Sequence, residues 1–169
     1  MAAVVDRAPA RPVIAIENTR FIFTTNFSGD PNRDNFGSRE RKANVIIPTK
    51  EQADALAELG CKVRVTRPRP GYEDEFVPEY YVTIKLNYGG RRPPRVFMVK
   101  DGRNPIALDE NTVTEIDYCR VSNVNVVCNP YHNEARGTTT LYIQTMYVEV
   151  NTDYDPFADR YARDLPFEV

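Results

Sequence analysis

Aromatic and basic side chains share one face of a predicted strand in the middle of the chain. The alternating residues from Tyr80 to Tyr88 place Tyr81 and Lys85 together, on the side away from the apolar residues. A Gly-Gly turn at 89–90 and a second apolar run, Arg95–Lys100, predict a β-hairpin. Because rings stack on bases and cations pair with phosphates, such a face has the chemistry to bind single-stranded nucleic acid. An ordinary hairpin with a solvated, slightly basic face gives the same pattern, since Tyr and Lys are common on exposed strands.

A second group of aromatic and basic residues lies in the loop predicted for residues 27–42. Its composition of Gly, Asp, Asn, Pro and Ser is typical of a loop, yet it also contains Phe27 and Phe36. A phenylalanine in a polar loop either anchors the loop to the core or contacts a ligand, and we expect Phe27 to be the anchor more than Phe36. The basic run 39–42, at the entry to the next strand, is either a solvated loop end or a set of phosphate contacts.

No arrangement of side chains predicts catalysis. The sequence has no glycine-rich phosphate loop, nucleophile elbow, HExxH or CxxC motif. Its carboxylates are scattered, and its single histidine, His132, lies in a predicted turn at 129–133 with no triad partner. Cys61, Cys119 and Cys128 match no zinc spacing, so we expect reduced and mostly packed thiols in a reducing compartment. We therefore expect no enzymatic activity, no cofactor and no metal.

The elements that must position the aromatic and basic residues are about seven short strands and one helix. Besides the hairpin, the strands are predicted at 13–24 with a break at Glu17–Asn18, and at 43–47, 62–67, 122–128 and 138–150. The last two are expected to pair as a hairpin through the turn at 129–133. At 62–67 the alternation points Val63 and Val65 inward and Lys62 and Arg64 outward.

The helix is predicted over residues 49–59. Thr49 can cap its first turn, with Gln52 as the reciprocal partner of a capping box, and Gly60 can end it. Its apolar stripe consists of Ala53, Leu56, Ala57 and Leu59. We expect this helix to pack as a plug on a sheet or at a barrel end.

The charge distribution is more informative than the net charge of −2 on 169 residues. Residues 20–103 contain 16 Lys and Arg against 11 Asp and Glu, a net charge of +5. Residues 149–169 contain 2 against 6, a net charge of −4. A basic body followed by an acidic tail is therefore expected. The sequence contains neither a membrane-spanning apolar run nor the apolar core of a signal peptide at its N-terminus.

These elements predict a mainly β fold, an OB-fold-like Greek-key barrel with one packing helix. We divide the chain into a flexible lead-in at 1–12, the barrel domain at 13–150, and a disordered, acidic, aromatic-containing tail at 151–169. The helix comes early for an OB-fold, which implies an extra helix or elaborated strands.

The chain resembles phage single-stranded-DNA-binding proteins with an OB fold, over roughly residues 20–150. The ordered set of matching segments is Asn26–Gly29, Arg41–Ile47 and the helix after it, Tyr81–Tyr88 with Arg92–Pro94, Asn129–His132, and Thr145–Val148. The resemblance implies non-catalytic, sequence-independent coating and protection of single-stranded DNA during phage replication, recombination and repair. It also implies a location in the host cell cytoplasm, associated with the nucleoid. The sequence does not decide whether the chain prefers DNA or RNA, or whether it is a monomer or a dimer.

The resemblance and the patterns together give the candidate DNA-binding residues. Phosphate contacts are expected from Arg39, Arg41, Lys42, Lys62, Arg64, Lys85, Arg91, Arg92 and Arg95. Base stacking is expected from Phe36, Tyr72, Tyr81 and Tyr88, although the alternation puts Tyr88 on the apolar face.

The tail is similar to the acidic, aromatic C-termini of bacterial and phage single-strand binders, which recruit replication proteins and compete with DNA. This likeness implies partner binding through Asp153, Asp155, Phe157, Asp159, Asp164 and Phe167. Because Glu168 and Val169 follow the last phenylalanine, the tail would fit poorly into a partner's pocket that binds the carboxylate of a C-terminal Phe. A purely solvating tail is the alternative.

Two other functions compete with DNA coating. A protein-interaction or virion structural β-domain would use the same barrel to bind protein and would show no affinity for oligonucleotides. A small nuclease would need clustered metal-binding carboxylates, which the sequence does not offer.

Overall fold

The computed structural model describes residues 13–151 and consists mainly of β-strands. The strands are β1 (Ile14–Thr19), β2 (Phe21–Asn26), β3 (Arg41–Ile47), β4 (Arg64–Val65), β5 (Tyr80–Leu86), β6 (Arg95–Lys100), β7 (Ile106–Leu108), β8 (Val121–Asn133) and β9 (Thr138–Val150). The α-helix of the described residues is α1 (Lys50–Glu58), and short 3-10 helices lie at Pro31–Arg33, Glu73–Glu75 and Val113–Tyr118.

The main sheet runs in the order β1-β8-β9-β5-β3-β2 and closes on itself. Closure follows because β1 and β2 are consecutive stretches of one bent strand, and the carbonyl of Arg20 at their junction accepts a hydrogen bond from the Ile46 amide of β3. The β5–β9 pair is parallel, whereas the other pairs along this path are antiparallel. This strand order is that of a five-stranded Greek-key barrel, so the predicted OB-fold is confirmed.

The core fills the barrel with the inward residues of every long strand. On β5, Val82, Ile84 and Leu86 are buried while the residues between them are half-buried, so the predicted alternation is confirmed. Phe27 is fully buried and anchors the loop after β2, as expected. Cys61 and Cys128 are buried, Cys119 is half-buried, and all three are free thiols. Burial raises the pKa of the Cys128 thiol to about 12, so this cysteine behaves as an apolar core residue.

Helix α1 forms as its sequence predicts, with one change in its capping. The Thr49 hydroxyl accepts a hydrogen bond from the Gln52 amide, and Gly60 follows the helix with a φ of +97°. The Gln52 side chain does not complete a capping box. It donates instead to the carbonyl of Ala15 over 2.7 Å, which ties the helix to β1. The buried stripe is narrower than expected: Ala53 and Leu56 join the core, while Ala57 and Leu59 are exposed.

The predicted hairpin between β5 and β6 is wrong. The two strands do not pair with each other; both lie parallel to β9, β5 beside its first half and β6 beside its second half. Strand β9 is 13 residues long, so it offers enough edge for two shorter strands in succession. The connection at 87–94 therefore spans a gap along β9, where Pro93 and Pro94 lack the amide that a tight ladder would use.

Two smaller strand predictions also fail. Residues 129–133, predicted as a turn, continue β8, and the chain reverses at 134–137, where Gly137 has a φ of +65°. The β8–β9 hairpin itself is confirmed. Strand β4 is only two residues long, and Val65 is exposed because the chain leaves the sheet there for a proline-rich loop.

The lead-in at 1–12 and the tail residues 152–169 lie outside the described residues, including all six tail positions named above. Within residues 13–151, no helix has the length and apolar character needed to cross a bilayer.

Candidate nucleic-acid interface

A groove of about 820 Å³ runs across the outer face of the barrel where β3 and β5 lie side by side. Its walls are the loop between β2 and β3 on one side and the 134–137 turn of the β8–β9 hairpin on the other. An OB-fold binds oligonucleotides and oligosaccharides at this place, between the corresponding two loops. The predicted basic and aromatic residues are therefore expected to line this groove.

The floor of the groove is built from outward-facing residues of β3 and β5 in register. Lys42 lies directly opposite Lys85, and Asn44 lies opposite Thr83. The Thr83 hydroxyl donates to the Asn44 side-chain carbonyl over 2.6 Å. Tyr81 lies on the same face of β5, two residues before Thr83. Because side chains alternate along a strand, the core residues between these positions fix which side chains face the groove.

Asp117 holds the start of the loop that forms one wall. Its side chain is fully buried and accepts hydrogen bonds from the Thr25 hydroxyl and from the amides of Phe27 and Ser28, at 2.8 to 2.9 Å. The Arg33 guanidinium lies 3.6 Å from the same carboxylate. One acid from the 3-10 helix Val113–Tyr118 thus neutralises one arginine and pairs two backbone donors that would otherwise have no partner.

Asp34 organises the tip of the same wall. Its carboxylate accepts from the amides of Phe36 and Ser38 and from the Lys42 ammonium, the last over 2.9 Å. The hydrogen bond from Lys42, followed by those from the two amides, lowers the pKa of Asp34 from 3.8 to about 2. Asp34 is therefore ionised at neutral pH and fixes the loop beside the floor.

Both central lysines of the floor are paired with carboxylates of this wall. Lys42 binds Asp34, and the Lys85 ammonium lies 2.7 Å from Glu40 Oε2. The Lys85 hydrogen bond also lowers the pKa of Glu40. An incoming phosphate therefore competes with these carboxylates for the two ammonium groups.

Three other cations line the groove without such a partner. Within the described part of the chain, Lys62, Arg64 and Arg136 form no ion pair. Arg64 pairs in register with Tyr81, which places it at the end of β5, and Arg136 lies in the β8–β9 turn. These cations add to Lys42 and Lys85 in the lining of the groove.

Within the described part of the chain, three rings line the groove: Phe36, Tyr81 and Phe23. Phe36 is 95% exposed at the tip of the loop, and Phe23 is 62% exposed on β2. The Phe23 and Tyr81 rings meet edge to face, with centroids 5.2 Å apart. Exposed rings among cations are the arrangement on which unpaired bases stack.

The model of a family described as "Putative phage ssDNA-binding domain" matches residues 5–168 of this sequence. The chain belongs to this family. The resemblance drawn from the sequence is thereby confirmed.

The chain is similar to the solved structures of two phage proteins. The single-stranded DNA binding protein gp2.5 of bacteriophage T7 is 11% identical, with a TM-score of 0.45, covering 95% of this chain and 99% of that one. The single-stranded DNA-binding protein of bacteriophage Enc34 is 15% identical, with a TM-score of 0.44, covering 88% and 89%. Its C-terminally truncated form is also 15% identical, with a TM-score of 0.44, covering 86% and 87%. No curated protein sequence matches the chain.

The groove of this phage domain brings together six of the thirteen predicted contacts. These are Phe36, Lys42, Lys62, Arg64, Tyr81 and Lys85. They come from β3, β4, β5 and the loop before β3, which the barrel places next to one another.

Arg41 and Tyr88 lie together outside the groove, in a structural contact. The Arg41 guanidinium donates to the carbonyls of Phe27 and Glu110 and lies over the Tyr88 ring, 5.4 Å from its centroid. Tyr88 packs against the core, as the alternation indicated, and burial raises its pKa. Neither side chain faces the groove, because odd and even residues of β3 and β5 point to opposite sides.

The other predicted contacts also lie away from the groove lining. Arg91 and Arg92 are exposed in the connection after β5, and Arg39 is exposed on the loop. Arg95 lies over the Phe97 ring, which stacks on Tyr147 on the outer face of β6 and β9. Tyr72 lines a separate, shallow cavity of about 370 Å³ with Arg67 and Arg69.

The sequence reading missed three groove residues: Phe23, Arg33 and Arg136. Phe23 lies in the strand predicted at 13–24, and nothing in that pattern singled it out as a ligand contact. Arg136 lies between the turn predicted at 129–133 and the strand predicted at 138–150, and neither prediction covered it. Arg33 lies in the loop at 27–42 with three other cations, Arg39, Arg41 and Lys42. This grouping was the one sequence signal that could have indicated a phosphate contact at Arg33.

The described residues contain no cluster of three or more His, Cys, Asp or Glu side chains that could hold a metal ion. His132 lies on β8, where its Nδ1 is 2.9 Å from the Thr139 hydroxyl. It therefore has a hydrogen-bonding partner on the neighbouring strand.

Proposed function

We propose that this domain binds single-stranded DNA along the groove, without sequence preference and without catalysing a reaction on it. The observation that carries the proposal is the charge of the groove. Among residues 13–151, six Lys and Arg but two Asp and Glu line it, in a chain whose net charge is −2. A local charge of +4 on such a chain provides an electrostatic path for a phosphate backbone.

The rings in the groove favour a single strand over a duplex. Tyr81 on the floor and Phe36 at the rim can each stack on a base only when that base is free of its own neighbours. In a duplex the base faces are stacked on one another, so the rings would gain nothing.

The polar residues of the floor support binding without sequence preference. Asn44 and Thr83 are the groups best placed to read base edges, but the Thr83 hydroxyl already donates to Asn44. Phosphate contacts carry no sequence information, and every base has a face on which a ring can stack.

Fluorescence anisotropy of a labelled oligo(dT) tests this proposal. We suggest about 30 nucleotides, roughly twice the longest site reported for one OB-fold. The matching duplex is measured beside it, at about 50 and about 200 mM salt. We expect binding to the single strand only, weakened by salt. Equal binding to the duplex would contradict a stacking groove, and no binding to either would move the function to a protein-interaction or virion structural domain.

The biological role that we propose is coating and protection of single strands in the infected cell during phage replication, recombination and repair. It would act in the host cytoplasm, at the nucleoid. Support comes from membership of the phage family and from the groove chemistry.

We also propose that the acidic tail recruits partner proteins and competes with DNA for the groove. The support is the sequence: residues 149–169 have a net charge of −4, opposite in sign to the groove. A chain ending at Asn151 should bind oligo(dT) more tightly than the full chain, and more so at low salt. Equal affinities of the two chains for oligo(dT) would show that the tail does not compete with DNA for the groove.

A further inference from the structure

Phe23 has a backbone conformation that is unusual for a phenylalanine. Its φ is +64°, in the left-handed region. The other non-glycine residues with positive φ among residues 13–151 are Asn18 and Asp101, which are types that tolerate this region. For a bulky aromatic residue the conformation is strained, and such strain concentrates at ligand sites.

A bulge in β2 accompanies this conformation. Ile22 pairs with Asn44 and Asn26 pairs with Lys42, so three residues of β2 stand opposite one residue of β3. The extra residues interrupt the strand's alternation and turn the Phe23 side chain outward. Bulges next to binding sites commonly re-aim a side chain in this way.

The re-aimed ring points into the groove instead of filling the core. It is 62% exposed and lines the groove beside Tyr81, whose ring meets it at 78°. A ring whose only purpose was packing would gain more from burial than from this strained and solvated position.

We propose that Phe23 is a base-stacking platform of the groove, with Tyr81 supporting its ring from the side. The inference rests on the proposed function, and its ligand is an unpaired nucleobase of any type, because a stacking face does not distinguish the four bases. The strained backbone holds the ring where the base passes, so the ring is already in place before DNA binds.

A single tryptophan tests the contact directly. The chain contains no Trp, so Phe23→Trp in the full-length protein creates a unique fluorophore. We expect oligo(dT) to be bound with near wild-type affinity and to quench this fluorescence, because the indole stacks on a base. Tyr147→Trp, on the outer face of β6 and β9, is the matched control and should stay unquenched. Oligonucleotide binding with unchanged fluorescence of the Phe23→Trp variant would overturn the proposal.

A pair of smaller substitutions separates binding from stability. Phe23→Ala and Phe23→Gly both remove the ring, and each should weaken oligo(dT) binding about 5- to 150-fold, as expected for the loss of one stacked base. Because glycine accepts a positive φ, the Gly variant should melt about 2–8 °C above the Ala variant. If the Phe23 ring acted only by stabilising the fold, the less stable Ala variant would also bind oligo(dT) more weakly than the Gly variant.

The outcomes distinguish this inference from the proposed function. Failure of the wild-type chain to bind oligo(dT) would overturn both. Wild-type binding together with full affinity of Phe23→Ala and Phe23→Gly would overturn the role of Phe23 and leave DNA binding by the groove in place.

Discussion

Replacing Glu40 by glutamine should strengthen DNA binding, although it removes a contact. In the protein as it stands, Glu40 Oε2 lies 2.7 Å from the Lys85 ammonium, on the floor of the groove. A phosphate that pairs with Lys85 competes with this carboxylate for the ammonium and is repelled by its charge. Glutamine has the same shape without the charge, so Lys85 becomes available and one negative charge disappears from the wall.

The size of the effect follows from the exposure of the pair. The Glu40 side chain is 52% exposed and that of Lys85 is 29% exposed. A partly exposed ion pair is worth about 0.2–1 kcal/mol, so its loss as a competitor should raise affinity about 1.4- to 5-fold. If Lys85 then neutralises one more phosphate, the slope of log K against log salt should steepen by up to about 0.7, the value for a single strand.

The assay is a salt titration of oligo(dT) binding with wild type, Glu40→Gln, Lys85→Gln and the double variant. In the Lys85→Gln background, Glu40→Gln should have little effect, because its partner is gone. Glu17→Gln, an exposed acid of β1 outside the groove, controls for the change in net charge. Unchanged or weaker binding by Glu40→Gln, with the wild-type salt slope, would show that Lys85 meets no phosphate.

Four further substitutions test how the wall of the groove is held. Asp117→Ala leaves two loop amides without their acceptor, so chemical denaturation should show a loss of about 3 kcal/mol in the free energy of unfolding. Gly29→Ala should destabilise the protein far more than Gly37→Ala: both glycines have a φ of +73°, but only at Gly29 would the new Cβ meet a backbone oxygen, that of Arg39, at 2.8 Å. Gly37→Ala should cost about 1–2 kcal/mol in the same assay. Asp34→Asn should lower the melting temperature at neutral pH. The difference in melting temperature between wild type and variant should shrink as the pH falls. The folded-state pKa of Asp34 is about 2, below its ordinary value of 3.8, so the stability that the ionised carboxylate contributes is lost as the pH falls between these two values. A constant difference down to the acid limit would contradict this role.

Features that depend on near neighbours in the chain could be predicted from the sequence. The alternation of Tyr80–Tyr88 determines which side chains enter the core, because one face of the strand must be buried. Thr49 starts α1 because its hydroxyl can reach the amide of Gln52 three residues on. The β8–β9 hairpin joins two long β-branched runs through a short connection.

Pairing between distant strands could not be predicted in the same way. Gly89 and Gly90 favour a turn, and nothing in 80–100 indicates that both strands prefer β9, about fifty residues away in sequence. The error in the pairing also explains the displaced contacts: Arg91 and Arg92 were assigned to the tip of a hairpin at the groove. In the barrel they lie in a connection outside its lining.

The direction of a cationic side chain depends on acceptors that the sequence does not reveal. Arg41 and Lys42 are neighbours with similar side chains, yet Lys42 faces the groove while Arg41 donates to two backbone carbonyls. Strand alternation alone requires opposite directions, but which of the two faces the groove depends on where β3 lies in the closed barrel. The net charge of −2 likewise gives no indication of the groove. Phosphate binding depends on the six cations that the fold brings to the groove lining and on the two carboxylates that lie beside them. A chain with this composition but with Glu40 and Asp34 outside the groove would bind DNA more tightly at the same net charge.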